Sequence, residues 1–397
     1  MNKTNIFLTT QTAYANTLTG LIPDLFAGMD VVSRELVGFI PSVYRNASAE
    51  RAAVGEHVVY PVTPTLTAVD VVPAMQIPEP TDRTIGNDFI QITKSRIVEF
   101  GFVGEEQKGL NNGAGYMTIQ ADLFAQALRT LTNEIESDLA QEAYLNASRG
   151  YGTAGTAPFG SNLGDSAQVK KMLDDNGAPL SGRTLVMDTS AGANLRTLGN
   201  LTKVNEAGTS MTLRDGELLN LHGFSLKESA QVKTHTKGTA TSATTNTAGY
   251  AVGAKTITLA SAGTGTIVAG DYVTFAGDTN KYLITAGDTD VSNGGTITIA
   301  APGLRVAIPA SATAITVVGN STRNIAFTQN ALHLVARTPE LVDGSDAATD
   351  SMMLIDPRSG LSFEIRVYEG YRKTRFEVGL AWGVKATKKE HLVSLLG

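Results

Sequence analysis

No cysteine occurs among the 397 residues of this chain. That absence excludes disulfide bonds, thiolate nucleophiles and cysteine-ligated metals, so stability must come from packing and association. Charged residues make up only 18% of the chain, and the net charge is -6. Nucleic-acid-binding proteins usually have a basic surplus, so this balance argues against that class. The low content of charged residues has two explanations. Either partners cover much of the surface, since interface cores contain few charges, or the chain is simply a neutral β protein rich in glycine and threonine.

Long apolar runs are also missing. No window reaches the length of a membrane-spanning helix, and Met1 to Leu8 contain no apolar core of a signal peptide. We therefore expect no membrane partner and assembly in a cytoplasm-like compartment.

Catalytic motifs are scarce as well. The five histidines have no metal-ligand spacing; His333 is expected within a strand and His235 at the surface. Gly150–Gly155 matches G-x-G-x-x-G but follows a predicted helix instead of a strand, so a flexible turn is expected there. Asp278–Asn280 and Asp288–Asp290 lack the spacing of a calcium loop and are predicted to form turns.

Acidic residues occur in groups that a glycosidase could use, but their positions favour a simpler interpretation. Such groups are expected at helix ends or on solvated helix faces: Glu105–Glu106, Asp174–Asp175 and Glu134 with Glu136 and Asp138. We therefore expect no catalytic residue, no cofactor and no metal ion, and a protein that is not an enzyme.

The segment from Thr234 to Thr322, named here the β block, differs from the rest of the chain. It holds 20 threonines and only eight charged residues. Short alternating runs of apolar and polar residues predict antiparallel strands: Thr256–Leu259, Tyr272–Phe275, Thr296–Ile299 and Ile315–Val318. The pattern indicates a small all-β module inserted into a larger mixed domain.

Residues 54–108 are predicted to form a long β-hairpin with limbs Glu56–Val62 and Phe89–Phe100. The prolines between the limbs cannot donate ladder hydrogen bonds and favour an extended loop: Pro64, Pro73, Pro78 and Pro80. Such an excursion gains little burial within one domain, so we expect it to lie over a neighbouring subunit.

Helical periodicity marks two segments. Residues 12–40 predict an amphipathic arm, which either packs on its own domain or reaches a neighbour. Residues 116–149 predict the longest helix, about 45 Å at about 1.5 Å per residue, with Thr118 as N-cap and Gly150 at its end. Its apolar stripe steps by three and four: Phe124, Leu128, Leu131, Ile135, Leu139 and Ala143.

Further elements alternate between helix and strand. Asp165 is expected to cap a helix that stops at Asn176–Gly177. A buried strand, Thr184–Met187, follows, and Asp188 caps the next short helix. An antiparallel pair is predicted to close the chain: Leu361–Tyr368 and Arg375–Val384.

The order of these elements resembles the major capsid proteins of tailed phages, which have the HK97-type fold. Local similarity points to the coat proteins of short-tailed Salmonella phages, which carry an extra β-barrel-like domain. Val268–Gly277 looks like the G-D-x-[IV]-x-F-A-G strand of that domain, and Asn324–Phe327 with Ala331–Val335 looks like the return into the apical domain. Leu380–Thr387 looks like the closing L-W-Y-G-V-x-A-T strand.

The resemblance implies an α+β chain in five parts. These are an N-terminal helical arm (1–53), an extended β-hairpin or E-loop (54–108), a peripheral domain with the spine helix (109–179 and 346–397), an α/β axial domain (180–232 and 323–345) and an inserted small all-β barrel-like domain (233–322).

The resemblance also implies a function. The chain would be the major capsid protein of a tailed double-stranded DNA phage, assembled in the host cytoplasm and located in the virion. Its partners would be other copies in hexamers and pentamers, a scaffolding protein, a portal protein at one vertex, packaged DNA held by weak non-specific contacts, and a decoration protein. The shell would expand as DNA enters.

Three basic residues of the predicted hairpin are candidates for contacts between subunits: Arg83, Lys94 and Arg96. Lys94 and Arg96 share a strand face with apolar residues, so each needs a partner if it is covered. The alternative is that they extend to solvent at a sheet edge.

Two other functions stay open on the sequence. A β-rich phage tail or surface-binding structural protein would share the strands but not the spine helix at 116–149. An enzyme such as a carbohydrate hydrolase would need a carboxylate pair, which spacing alone does not exclude.

Overall fold

The computed structural model describes residues 35–46, 50–62, 66, 68, 70–73, 75, 85–111, 116–203, 218, 220–341, 348–357 and 359–397. Most of the predicted helical arm lies outside these ranges, and its described end, residues 35–40, is not helical. The described chain combines helices with a larger number of strands, which confirms a mixed α and β architecture.

The helices of the described residues are α1 Gly104–Asn111, α2 Tyr116–Leu145, α3 Gly164–Asp175, α4 Thr189–Thr197 and α5 Gly199–Thr202. The strands are β1 Tyr44–Asn46, β2 His57–Val62, β3 Gly86–Gln91, β4 Lys94–Val103, β5 Arg149–Gly152, β6 Arg183–Met187, β7 Ser225–Glu228, β8 Thr234–His235, β9 Thr256–Leu259, β10 Tyr272–Phe275, β11 Lys281–Ala286, β12 Gly295–Ile299, β13 Ile315–Val317, β14 Ser321–Thr328, β15 Leu332–Arg337, β16 Asp350–Ile355, β17 Ser362–Gly370, β18 Lys373–Ala386 and β19 Leu392–Leu396. Across those ranges, no helix combines the length and apolar character needed to cross a membrane.

The first sheet is built around β18. Its strand order is β1-β15-β18-β17-β16, and β4 also pairs with β18. Strands β17 and β18 form the predicted antiparallel pair. The predicted single limb Phe89–Phe100 is wrong: it is divided between β3 and β4, because β4 leaves the hairpin and pairs with β18 along its whole length.

Helix α2 crosses this sheet and forms the centre of the main core. Every residue of its predicted apolar stripe is buried, and the stripe packs with sheet residues such as Phe376 and Trp382. Two predicted limits are wrong. Thr118 lies inside α2 instead of capping it, and the helix ends at Leu145, because Gly150 belongs to β5.

The second sheet joins the β block to the body of the chain. Its order is β13-β10-β11-β5-β19-β14-β6-β7. All four predicted strands of the block are present, as β9, β10, β12 and β13. The additional strand β11 pairs with β5, where Lys281 lies opposite Gly150 and Tyr282 opposite Arg149. The block and the body therefore share one hydrogen-bonded sheet.

The β block also has an apolar core of its own. The buried residues of this cluster all lie between Ala240 and Val317, and Ile257 and Ile297 face each other within it. Threonines occupy the alternate positions of these strands, so that their side chains lie on the face opposite the apolar core, as that of Thr258 does. The alternation that predicted strands thus records the buried and exposed faces of the block.

A buried arginine provides a second connection between block and body. Arg323 in β14 is 2% exposed. Its guanidinium carbon lies 4.5 Å from the ring centroid of Tyr272, and Nη2 donates to the carbonyl of Gly270 at 3.0 Å. Burial lowers the pKa of Arg323, and the cation–π contact offsets part of the cost of removing the charge from water.

Local predictions around the short helices are confirmed with one exception. Thr184–Met187 lies in β6 and is buried throughout. Asp188 caps α4 by accepting hydrogen bonds from two of its backbone amides. The exception is Asp165, which lies in the first turn of α3 and accepts a hydrogen bond from the backbone amide of Phe159.

Glu136, in the middle of α2, is fully buried, so the prediction that it lies on a solvated helix face is wrong. Four donors reach its carboxylate at 2.6–2.9 Å: the backbone amides of Gly38, Phe39 and Ile40 and the hydroxyl of Ser229. Burial raises the pKa of Glu136 above its usual range, and the hydrogen bonds offset part of that rise. Because all four groups donate, the geometry suits the charged carboxylate, which ties two distant segments to α2.

Glu136→Gln is expected to lower the free energy of unfolding by about 2–3 kcal/mol, because the new amide group would face N–H donors. Denaturant unfolding followed by circular dichroism measures the change. Glu134→Gln is the matched control on the same helix; Glu134 is partly exposed, and its loss should cost about 1 kcal/mol or less. Equal losses in the two variants would contradict the role assigned to Glu136.

Candidate assembly surface

Strands β2 and β3 form a two-stranded ribbon that, within the described residues, pairs with no other strand. Val58 lies opposite Ile90, and Val59 lies opposite Phe89. Ile90 is buried in a small cluster with Ala381 of β18. Val59 and Phe89, on the other face, are 60% and 42% exposed. One face of the ribbon therefore lies on the body, and the described part of the chain leaves the other face largely exposed.

The ribbon and the loop that it carries expose many apolar side chains. The large apolar residues exposed in this segment are Val54, Val59, Val62, Leu66, Val71, Val72, Met75, Ile85 and Phe89. Val71 is 96% exposed and Met75 is fully exposed. Single exposed apolar residues are ordinary, but an accumulation of this size is typical of an interaction site.

The three basic residues proposed from the sequence differ in their surroundings. Arg83 lies outside the described residues. Lys94 Nζ lies 3.0 Å from Glu134 and 2.9 Å from Asp138, both on α2. Arg96 Nε is 3.5 Å from Glu134, and its side chain is 59% exposed. Arg96 is thus more available to another subunit than Lys94 is, and contacts of all three with other copies stay predictions.

The single tryptophan completes the surroundings of Lys94. Trp382 Nε1 donates to Asp138 at 2.9 Å, and Lys94 Nζ lies 5.8 Å from the centroid of the tryptophan ring. Burial lowers the pKa of Lys94, but hydrogen bonds to Asp138 and Glu134 outweigh it, and the pKa is raised. Lys94 therefore fastens β4 to α2 within its own chain.

The histidines do not converge. In the ranges that the structure describes, no group of three or more histidines or carboxylates could hold a metal ion. His235 is buried, contrary to prediction, because it packs near Tyr144 of α2 and its Nε2 lies 2.9 Å from Asp271. His333 is a partly buried residue of β15, as predicted, and burial lowers its pKa.

The acidic groups have other partners. Glu105 and Glu106 lie in the first turn of α1, as predicted from the helix dipole. Hydrogen bonds from Lys170 and Arg183 lower the pKa of Asp174. None of these observations places two carboxylates across a cleft in the way that glycoside hydrolysis requires.

The turn predictions are confirmed in the β block and fail at the glycine motif. Asp278 and Asp290 accept hydrogen bonds from backbone amides two residues further on, as turn residues do. The first half of Gly150–Gly155 is not a flexible turn, because it lies in β5, which pairs in parallel with β19. The next helix begins only at Gly164, so these glycines do not open a helix.

Comparisons with known proteins give matches in structure only. No family model and no curated protein matches the sequence. A capsid structure of the cyanophage P-SCSP1u matches at a TM-score of 0.49 and 12% identity, over 92% of this chain and 89% of that chain. A chain from Mycobacterium phage Che8 matches at 0.45 and 14%, over 92% of both. A mature capsid of bacteriophage PhiM1 matches at 0.44 and 10%, over 92% and 88%. With TM-scores below 0.5, this similarity establishes neither fold nor function.

Lys94→Met is expected to destabilise the isolated chain by about 1–2 kcal/mol, since it removes the amine that donates to both Glu134 and Asp138 of α2. Arg96→Met is the matched control and should change the unfolding free energy by less than about 0.5 kcal/mol, because its charge is exposed. Denaturant titration of both variants measures the difference. If Arg96→Met proved the more damaging, the assignment of Lys94 as the internal contact would be wrong.

Proposed function

We propose that this chain is the major capsid protein of a tailed double-stranded DNA phage and that it self-assembles into an icosahedral shell. The exposed apolar ribbon of β2 and β3 carries the proposal. Burial of apolar surface contributes about 25 cal/mol per Å², and the described residues leave Val59 and Phe89, on the outer face of the ribbon, 60% and 42% exposed. A neighbouring copy that covers this face would supply that burial.

The body of the chain is suited to such a role. Helix α2 has 30 residues and is packed along its length on the first sheet. A shell subunit must carry load between neighbours, and a helix fixed to a sheet resists bending better than strands alone. This feature favours a shell over the alternative of a β-rich tail or surface-binding protein.

The finer assignment follows the HK97-type plan. Residues 54–108 would act as the E-loop over an adjacent subunit, 109–179 with 346–397 as the peripheral domain, and 180–232 with 323–345 as the axial domain. Residues 233–322 would form an inserted domain on the outer surface, stabilising its own subunit. Hexamers and pentamers would form with a scaffolding protein, a portal protein would occupy one vertex, and the shell would expand as DNA enters.

Replacing Val71 and Val72 together by Asp is expected to reduce the assembled fraction at least about tenfold, because burying two charges in an interface costs several kcal/mol. Size-exclusion chromatography with light scattering and negative-stain microscopy measure assembly. Val252→Asp is the matched control, since Val252 is 62% exposed in the β block. If the double variant formed shells in wild-type yield, the loop carried by the ribbon would not be part of the assembly surface.

Replacing residues 234–322 by a short linker is expected to lower the yield of stable shells. The deletion removes the strand β11 that pairs with β5 and the Tyr272 ring that contacts Arg323. The subunit itself should therefore lose stability. Circular dichroism of the shortened chain measures the stability of the subunit, and imaging of its products measures the yield of shells. Stable shells in unchanged yield would show that the block does not stabilise its own subunit.

A further inference from the structure

The ribbon leaves the body at a crossing over β18. The backbone amide of Thr93 donates to the carbonyl of Trp382 at 3.0 Å, where β3 gives way to β4. A side chain at Gly383 would place Cβ 2.0 Å from the carbonyl oxygen of Gln91. Glycine at this position therefore allows the two backbones to cross, but a crossing alone does not fix the angle of a two-stranded ribbon, which has little stability by itself.

One amine of the body donates hydrogen bonds to β3 and is linked to β2 through the carboxylate of Asp88. Lys385 Nζ donates to Asp88 Oδ1 at 2.6 Å and to the carbonyl of Phe89 at 2.7 Å. The hydroxyl of Tyr60, in β2, donates to Asp88 Oδ2 at 2.6 Å. Asp88 therefore accepts a hydrogen bond from β18 on one carboxylate oxygen and a hydrogen bond from β2 on the other. Hydrogen bonds from Lys385 and then Tyr60 lower the pKa of Asp88 to about 2, so its carboxylate is charged at neutral pH.

Aromatic rings surround this contact. Lys385 Nζ lies 5.8 Å from the ring centroid of Tyr60 and 5.2 Å from that of Phe89. The Tyr60 ring stacks at 6.1 Å on His333, which also contacts Tyr44 at 4.8 Å. Tyr60, His333 and Tyr44 come from β2, β15 and β1, so aromatic rings connect the ribbon to the body beside this charge.

We propose that the Lys385–Asp88–Tyr60 contact is the positioning lock of the ribbon: it sets the angle at which β2 and β3 leave the body. Lys385 makes the outermost hydrogen bonds that join described ribbon residues to the body. The consequence for assembly rests on the proposed function, because a ribbon held at one angle presents Val59 and Phe89 ready for a neighbour, without the entropy cost of ordering it on contact.

The strength of the contact fits positioning better than global stabilisation. The side chains of Lys385 and Asp88 are 29% and 41% exposed, and ion pairs this exposed add little to the stability of the whole chain. They do bias the local opening of a weakly attached element, whose opening free energy is small. Loss of the lock should therefore change local opening and leave the overall unfolding transition nearly in place.

Hydrogen exchange with mass spectrometry on the full chain, before assembly, tests the lock. Lys385→Met should speed exchange of peptides that cover 57–62 and 86–91 by about fivefold, while β17 and the β block exchange as in wild type. Tyr60→Phe should have a smaller effect in the same peptides. Lys385→Arg, which keeps charge and donors, should restore slow exchange. Lys388→Met, three residues away and exposed, is the matched control.

Three outcomes separate failure of the lock from failure of the proposed function. Unchanged exchange in Lys385→Met would overturn the lock, whatever the variant does in assembly. Faster exchange with slower shell formation, followed by light scattering, would support both the lock and the proposed function. Faster exchange with unchanged shell formation would support the lock and count against the ribbon as the assembly element.

Discussion

A two-stranded ribbon has two faces, and only one of them can lie on the body that carries it. In this chain Ile90 of the inner face packs in a small apolar cluster with Ala381 of β18. The outer face and the loop beyond it present apolar side chains to water, with Val71 and Met75 almost wholly exposed. This imbalance is the constraint on which the proposed assembly depends, because an exposed apolar surface of this kind is typical of a site that another molecule covers.

The body acts as a rigid support for that surface. Helix α2 packs along the first sheet, and Glu136 ties residues 38–40 and Ser229 to the middle of the helix. Lys94 fastens β4, the direct continuation of the ribbon, to the same helix. The β block is held by the pairing of β11 with β5 and by the buried Arg323. Ribbon, helix and block are thus connected through one continuous framework.

Local patterns in the sequence predicted much of this framework. Period-two alternation predicted the strands of the β block, and a three-and-four stripe predicted α2, since both patterns record which face of an element is buried. The same reasoning predicted an extended hairpin that gains little burial within its own domain. Each of these features depends on neighbours in the sequence.

Long-range partners could not be predicted in this way. The transfer of β4 to β18, the burial of Glu136 and that of His235 depend on which distant segments meet, and a local pattern carries no such information. The positioning lock is of this kind, because Asp88 and Lys385 are 297 residues apart in sequence. A charged residue is expected at the surface by default, but Glu136, Lys94 and Arg323 connect segments within the described chain.

Oxidation footprinting of Met75 tests the central claim most directly. Its side chain is fully exposed in the single chain and lies in the loop carried by the ribbon. If copies of this chain cover one another's ribbons, brief peroxide treatment should oxidise Met75 at least about tenfold more slowly in assembled particles than in dissociated chains. Met353, 55% exposed on the edge strand β16, gives a reference rate in the same sample. Equal oxidation of Met75 in both states would show that the ribbon stays uncovered and would contradict the account.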